Sequence, residues 1–299
     1  MYRFVVNNVK RTKTKKKVPS LILIFLMFAA GLGVMLYPFA SNWYNQRLQD
    51  QLIEEYDHSV ADISPELLDA EREACILYNE GLLGNVVLTD PFDVEATKQS
   101  SEIYGERLNL SDDGVMGYIE IPNINVKLAI YHGTDSKTLE KGVGHMENTS
   151  LPIGGEATHA VLSAHTAYAE ATLFNDLVDL VEGDTFYLKV LDKTLAYQVD
   201  QIKVVEPSDT GDLLIDGHED YVTLVTCTPY GVNSHRLLVR GIRVPYVEEE
   251  AVAIQAGNRQ SYPSVTLLII LFVLLLVIII IVTIKRRHRR KEVNNEKEK

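Results

Sequence analysis

The stretch YVTLVTCTPYGVNSHRLLVRG, Tyr221 to Gly241, reads as strand, loop, strand. Before Cys227 the residue types alternate, with Val222 and Leu224 on one face and Thr223, Val225 and Cys227 on the other. Pro229, Gly231 and Asn233 supply the turn, and the second strand opens at Arg236. If the two strands pair antiparallel, residues closing the loop face each other with Cβ atoms roughly 4.5 to 5.5 Å apart. Cys227 and Arg236 then become neighbours. A guanidinium, which keeps its charge at any working pH, pulls a thiol below its ordinary pKa of about 8.5; it can equally face the oxygen of a carbonyl under attack. Taken singly, a cysteine is more simply a small buried hydrophobe and an arginine a surface residue.

Working outward, GYIEIP and NVKLAIYHG flank an Asn-bearing turn, and HAVLSAHT follows. Next come DTFYLKVL and TLAYQVDQIKVVEP on either side of Asp-Lys, then the opening hairpin. At least seven strands fall in about 130 residues, and a closed barrel of about eight is the economical way to hide so many edges. One helix is predicted at Thr172–Gly183, TLFNDLVDLVEG. Upstream, residues 41–83 are charged and Leu-rich and predict two helices, the second capped by Ser64 with Pro65 at its first position. A long aperiodic stretch, Gly84 to Gly114, leads into the barrel.

Two apolar runs bracket this body. Ser264–Ile284 carries no charge and, at about 1.5 Å per residue, is long enough to cross a hydrocarbon core of roughly 30 Å. Val18–Ala40 is also uncharged and follows a head with seven Lys or Arg and no acid, as either a span or a signal sequence would; its length favours a span. The C-terminal tail holds eight Lys or Arg, so both basic ends are expected in the cytoplasm and the segment between them outside. That segment carries 14 basic and 38 acidic residues, a formal charge of −24 against −12 for the whole chain, which argues against nucleic-acid binding.

Thiol chemistry needs a proton carrier. Of eight histidines, His58 lies near the first apolar run and His288 in the basic tail, leaving His132, His145, His159, His165, His218 and His235. His165 closes the strand HAVLSA behind two small residues, Ser163 and Ala164, yet spacing alone does not choose among the six. Cys75 and Cys227 could close a disulfide outside the cell, which would silence the thiol; that reading leaves the residues gathered around Cys227 unexplained. No metal-ligand spacing stands out, and no cofactor is expected.

The ordered set GYIEIPNINV, TSLPIGG, AVLSAH, DTFYLKV and TCTPYGVNSHRLLVRG, within roughly residues 85–245, resembles the sortases, membrane-anchored cysteine transpeptidases of Gram-positive bacteria. The resemblance implies Cys227 as nucleophile, His165 as acid/base, and Arg236 as the donor that steadies substrate and oxyanion. TCTPYGVNSHR, the C-terminal apolar run and LTDPFD (Leu88–Asp93) imply the class C, pilus-assembly branch, where an Asp-Pro-aromatic segment forms a lid. Asp90 and Phe92 would be lid residues, although Asp90-Pro91 by itself reads as an ordinary turn. Where many relatives have Gly before the His and Gly-Leu-Pro shortly after it, this chain has Ala164 and TAYAEA.

The implied partners are LPXTG-bearing surface proteins or pilins, with a pilin lysine or a cell-wall precursor supplying the acceptor amine. Readings left open are a hydrolase that uses water, a housekeeping sortase, and a non-enzymatic surface binding module. The expected layout is a cytoplasmic tail (1–17), a span or signal anchor (18–40), juxtamembrane helices (41–84), a lid segment (85–110), a catalytic β-barrel (111–250), a linker (251–263), a second span (264–284) and a cytoplasmic tail (285–299).

Overall fold

The computed structural model describes residues 20–83, 86–93, 101–111, 113–168 and 170–249, with Ala251 and Lys285. Four α-helices are found among them: α1 (Ser20–Asp62), α2 (Pro65–Gly81), α3 (Glu102–Glu106) and α4 (Ser136–Lys141). The strands are β1 (Val115–Ile121), β2 (Val126–His132), β3 (Val143–His145), β4 (Thr158–Ser163), β5 (Thr185–Val190), β6 (Lys193–Val205), β7 (Asp220–Thr228) and β8 (His235–Val244). They close in the order β1-β2-β3-β4-β7-β8-β6-β5, the last pairing back to β1. Closure leaves no strand edge unpaired, as expected for a chain of so many short strands.

Alternation along each strand separates two faces. Ile119, Ile130, Leu162, Phe186, Leu224 and Val239 fill the barrel, all fully buried. On the outer face of β4, β7 and β8 a smaller apolar cluster collects Met146, Val161, Leu213, Val225 and Leu238. Two of the pairings are parallel. One joins β2 to β3, and the other joins β4 to β7, with β5 and β6 lying between them in sequence. The turn between β1 and β2 is a 3₁₀ turn, Pro122–Ile124, closed by Asn125 in the left-handed region.

Helix α1 lies along β1 and β2, held by polar side chains that reach the barrel backbone. Gln49 donates to Lys141 O (2.7 Å) and accepts from Ala129 N (2.8 Å). Tyr56 donates to Met116 O (3.1 Å) and accepts from Leu191 N (2.8 Å). Ser64 caps α2 and Pro65 occupies its first turn, as the sequence predicts. Asn79 of α2 brackets Leu151, donating to its carbonyl (3.2 Å) and accepting from its N–H (2.7 Å).

The helix predicted at Thr172–Gly183 is only a 3₁₀ turn, Asn175–Asp179. Phe174, Leu177 and Leu180 are all buried at a spacing of three, which suits the tighter helix, and Asn175 is drawn away to bond the preceding loop. The short strand β3 and helix α4 carry too few residues to show a period. As for the apolar runs, α1 takes in Ser20 to Ala40 and continues without a break to Asp62. Among the described residues no helix is long and apolar enough to cross a membrane, and residues 264–284 lie outside them.

The hydroxyl of Tyr56 serves two backbone groups at once inside the core. Tyr56→Phe is therefore expected to lower unfolding stability by about 1–3 kcal/mol, because it strands the Leu191 N–H. Urea denaturation of the two proteins side by side measures it, and equal midpoints would refute the bridge.

Candidate active site

Strand β7 sets the site because it has a neighbour on each side. Toward β8 the register pairs Cys227 with Arg236 and Val225 with Leu238, as the hairpin predicts. Toward β4 it runs parallel and ends at Ser163 opposite Val225. Ala164 N donates to Val225 O (3.1 Å) and Thr226 Oγ1 donates to Ala164 O (2.7 Å), so the pairing persists past the strand's end. Continued by two residues, that register would set His165 opposite Cys227. The outer-face row thus consists of Cys227 and Arg236, opposite each other in one hairpin, and His165, about 60 residues earlier and two residues past the end of β4.

The remaining histidines are engaged elsewhere. His159 is buried, donating to Leu214 O (2.8 Å) and accepting from Thr223 Oγ1 (2.7 Å); burial pushes its pKa down to about 4. His145, buried against Tyr104, meets Ser150 O at 2.8 Å and is likewise pushed down to about 4 by burial. His132 reaches the carbonyls of Gly114 and Arg107 (3.1 and 2.6 Å). His235 faces Glu206, and exposed His218 lies beyond the far end of β7. Cys75 and Cys227 are both free thiols, and Cys75 donates to the Glu71 carboxylate (3.5 Å).

The segment 88–93 covers the row. Asp90 takes Arg236 in a two-pronged ion pair, Nε to Oδ1 at 2.8 Å and Nη2 to Oδ2 at 2.5 Å. The pair is well shielded, with side chains 11% and 15% exposed. Nη1 of Arg236 is bonded to the carbonyls of Asn233 and His235. Phe92 lies between the two flanking residues, its ring 5.7 Å from the His165 ring and 5.0 Å from the guanidinium carbon. Leu88 and Phe92 pack on the outer apolar cluster. Beside them a cleft of about 260 Å³ is lined by Val86, Leu88, Leu213, Leu214 and Ile215 among others.

This cover changes the electrostatics expected from the hairpin alone. Burial pushes the Cys227 thiol above its ordinary value; Arg236 opposes that, and Asp90 adds to it. Burial pushes His165 down, against a small opposing pull from Glu140. Both shifts favour the neutral forms, thiol and imidazole, against the thiolate that an isolated Cys–Arg pair would favour. Chemically the row holds a thiol, an imidazole and a guanidinium, the last engaged by Asp90. Ser163 Oγ, on the same face and fully buried, is the buried side-chain oxygen without a hydrogen-bond partner among the described residues, and no sequence signal marks it.

The sortase-domain family model matches residues 119–244. Sortase D of Bacillus subtilis (strain 168) is 30% identical over 159 residues, which cover 52% of this chain and 77% of that protein. The crystal structure of sortase C-1 from Streptococcus pneumoniae superposes with a TM-score of 0.61 at 45% identity, covering 66% of this chain and all of that one. A pilus-related sortase C of Group B Streptococcus gives 0.59 at 41% identity, covering 64% of this chain and 97% of that one.

Removing the cover should free the thiol. Asp90→Ala is expected to shift the midpoint of Cys227 alkylation to lower pH, since it deletes the charge that raises the thiol pKa and releases the one that lowers it. A fall of one unit would speed labelling below the midpoint about tenfold. Phe92→Ala should speed it by exposure, and rates unchanged in both variants would count against the cover.

Proposed function

The chain belongs to the sortase family of cysteine transpeptidases, and on that footing we propose that it is membrane-anchored, cleaves an LPXTG-like sorting signal between Thr and Gly outside the cell, and passes the acyl group to a pilin lysine. The observation that carries the reading is the pairing of Cys227 with Arg236 across β7 and β8, with His165 two residues past the end of the β4 strand that pairs with β7. The pilus branch draws support from the identity with class C structures and from the Asp90–Arg236 cover. Membrane anchoring draws on the two apolar runs and their basic flanks.

In this reading the segment 88–93 first leaves the cleft. Arg236 then exchanges the Asp90 carboxylate for the substrate carbonyl, and the thiol, no longer facing Asp90, ionises more readily. Cys227 Sγ bonds to the Thr carbonyl carbon as its proton passes to His165. The guanidinium donates to the oxygen as negative charge develops there. Collapse breaks the C–N bond; His165 delivers its proton to the departing Gly amine, leaving a thioester on Cys227. An incoming amine attacks that thioester, gives a proton to His165 and expels the Cys227 sulfur, which takes a proton back.

Incubating the full chain with a sorting-signal peptide, with and without an amine acceptor, tests this by mass spectrometry. A joined product and a transient acyl group on Cys227 are expected, and cleavage that ignores the amine would establish hydrolysis instead. Cys227→Ala and His165→Ala should each lower turnover by a factor on the order of 10³ or more. If neither substitution matters, the enzyme reading of this row falls and a binding module remains.

A further inference from the structure

The loop after His165 has no sheet partner, and it is held from two sides. From within the barrel domain, Phe174 N donates to His165 O (3.1 Å) and Ala167 N donates to Asn175 Oδ1 (2.7 Å). From outside it is held by α1, whose residues lie about 130 positions earlier. Ser41 Oγ and Asn45 Nδ2 both donate to Glu170 O, each at 2.8 Å. Asn42 Oδ1 accepts from Thr172 N at 2.9 Å, and Tyr37 OH donates to Glu170 Oε1 at 3.4 Å. Between these anchors Tyr168 stacks on the His165 ring, centroids 6.0 Å apart and planes 21° from parallel.

The helix making these contacts is itself fixed. Ser41, Asn45 and Gln49 recur at intervals of four, and Asn42, Gln49 and Tyr56 at intervals of seven, so all lie on one face. Gln49 and Tyr56 are buried and bonded to the barrel, one and two heptads beyond Asn42. A displacement of the loop relative to the barrel therefore has to break hydrogen bonds to a helix that cannot follow it.

We propose that this face of α1 is a positioning element for His165: Ser41, Asn42 and Asn45 fix the loop 166–172, which holds Tyr168 against the imidazole and sets its orientation toward Cys227. The proposal rests on the sortase reading, in which His165 moves the proton. It makes the helix that leads out of the first apolar run a part of the acid/base machinery. A base misplaced by about 1 Å can lose up to 10²-fold in rate while substrate binding, governed by other surfaces, is little changed.

The two asparagines act through opposite chemistry, which gives the test its resolution. Asn42 accepts a hydrogen bond and Asn45 donates one. In the full chain, with peptide and amine, Asn42→Ala/Asn45→Ala is expected to lower kcat about tenfold with the peptide KM within twofold. Amide hydrogen exchange across 166–173 should quicken, while α1 around Gln49 stays protected. Asn42→Asp keeps an acceptor and should restore most of the activity lost in Asn42→Ala; Asn45→Asp removes the donor and should not. Gln46→Ala, on the exposed side of the same turn, should match the parent.

A kcat within twofold of the parent in the double variant overturns the proposal, provided melting shows the protein folded. So does equal recovery by both Asp variants, which would mean that chain packing rather than these bonds is felt. A parent chain that forms no acyl-enzyme overturns the sortase reading and this proposal together, whereas an active parent with indifferent variants overturns only the latter.

Discussion

The register of β7 between its two neighbours is the constraint on which the rest depends. A slip of one residue against β8 would turn Cys227 inward and separate it from Arg236, since side chains alternate faces. What forbids the slip is the barrel interior. Val222 and Leu224 are fully buried there, and turning such residues out to water costs about 1.5–3 kcal/mol each. The phase of two aliphatic side chains thus aims a sulfur atom outward. On the other flank, the parallel pairing with β4 carries the same phase to His165, reinforced where the strand ends by the bond from Thr226 to Ala164. The chemistry of the row is set by the hydrophobic pattern of the strands beneath it.

Upon this frame the segment 88–93 acts as a competitor. Arg236 keeps its charge, so what varies is its partner. With Asp90 in place, Nε and Nη2 face a carboxylate and Nη1 faces two carbonyls, so four of the five guanidinium N–H groups are engaged and the edge formed by Nε and Nη2 is closed to a carbonyl oxygen on a substrate. The same carboxylate helps hold Cys227 protonated. Desolvating both partners offsets much of the attraction in such a shielded pair, so it can be well formed without being hard to exchange for another acceptor. Other anchors of the segment are modest, among them a 3.4 Å bond from Thr210 to Leu88 O and the packing of two side chains.

How much of this the sequence discloses depends on how local each signal is. Cys227 opposite Arg236 is a hairpin property, settled by nine residues and a turn, and it can be derived without any family. The barrel comes from the count of alternating segments. His165 cannot be chosen by spacing from six candidates, because the choice is made by a parallel pairing between strands about 60 residues apart; only the resemblance singles it out. Asp90 reads as a turn residue on its own terms, and it does form one, with Asp93 N bonded to Asp90 O, while its side chain is committed 146 positions away. The helix expected at Thr172–Gly183 fails because apolar residues at a spacing of three serve a 3₁₀ turn as well as an α-helix over so short a run.

Helix α1 hides its role in a more instructive way. Its polar residues read in sequence as the solvated side of a charged helix, and nothing in composition distinguishes an asparagine facing water from one facing a carbonyl. The distinguishing signal is periodicity in polar residues: Ser41, Asn45 and Gln49 at four, Asn42, Gln49 and Tyr56 at seven, interleaved with buried Ile53 and Val60. A face that is apolar near Asp62 becomes amide and hydroxyl near Ser41, because there it meets a loop with exposed backbone groups instead of a sheet. At about 1.5 Å per residue, Tyr56 and Tyr37 stand roughly 28 Å apart along the axis. The barrel is thus gripped near one end by Tyr56 and, at the end carrying His165, by the turns that adjoin the apolar run.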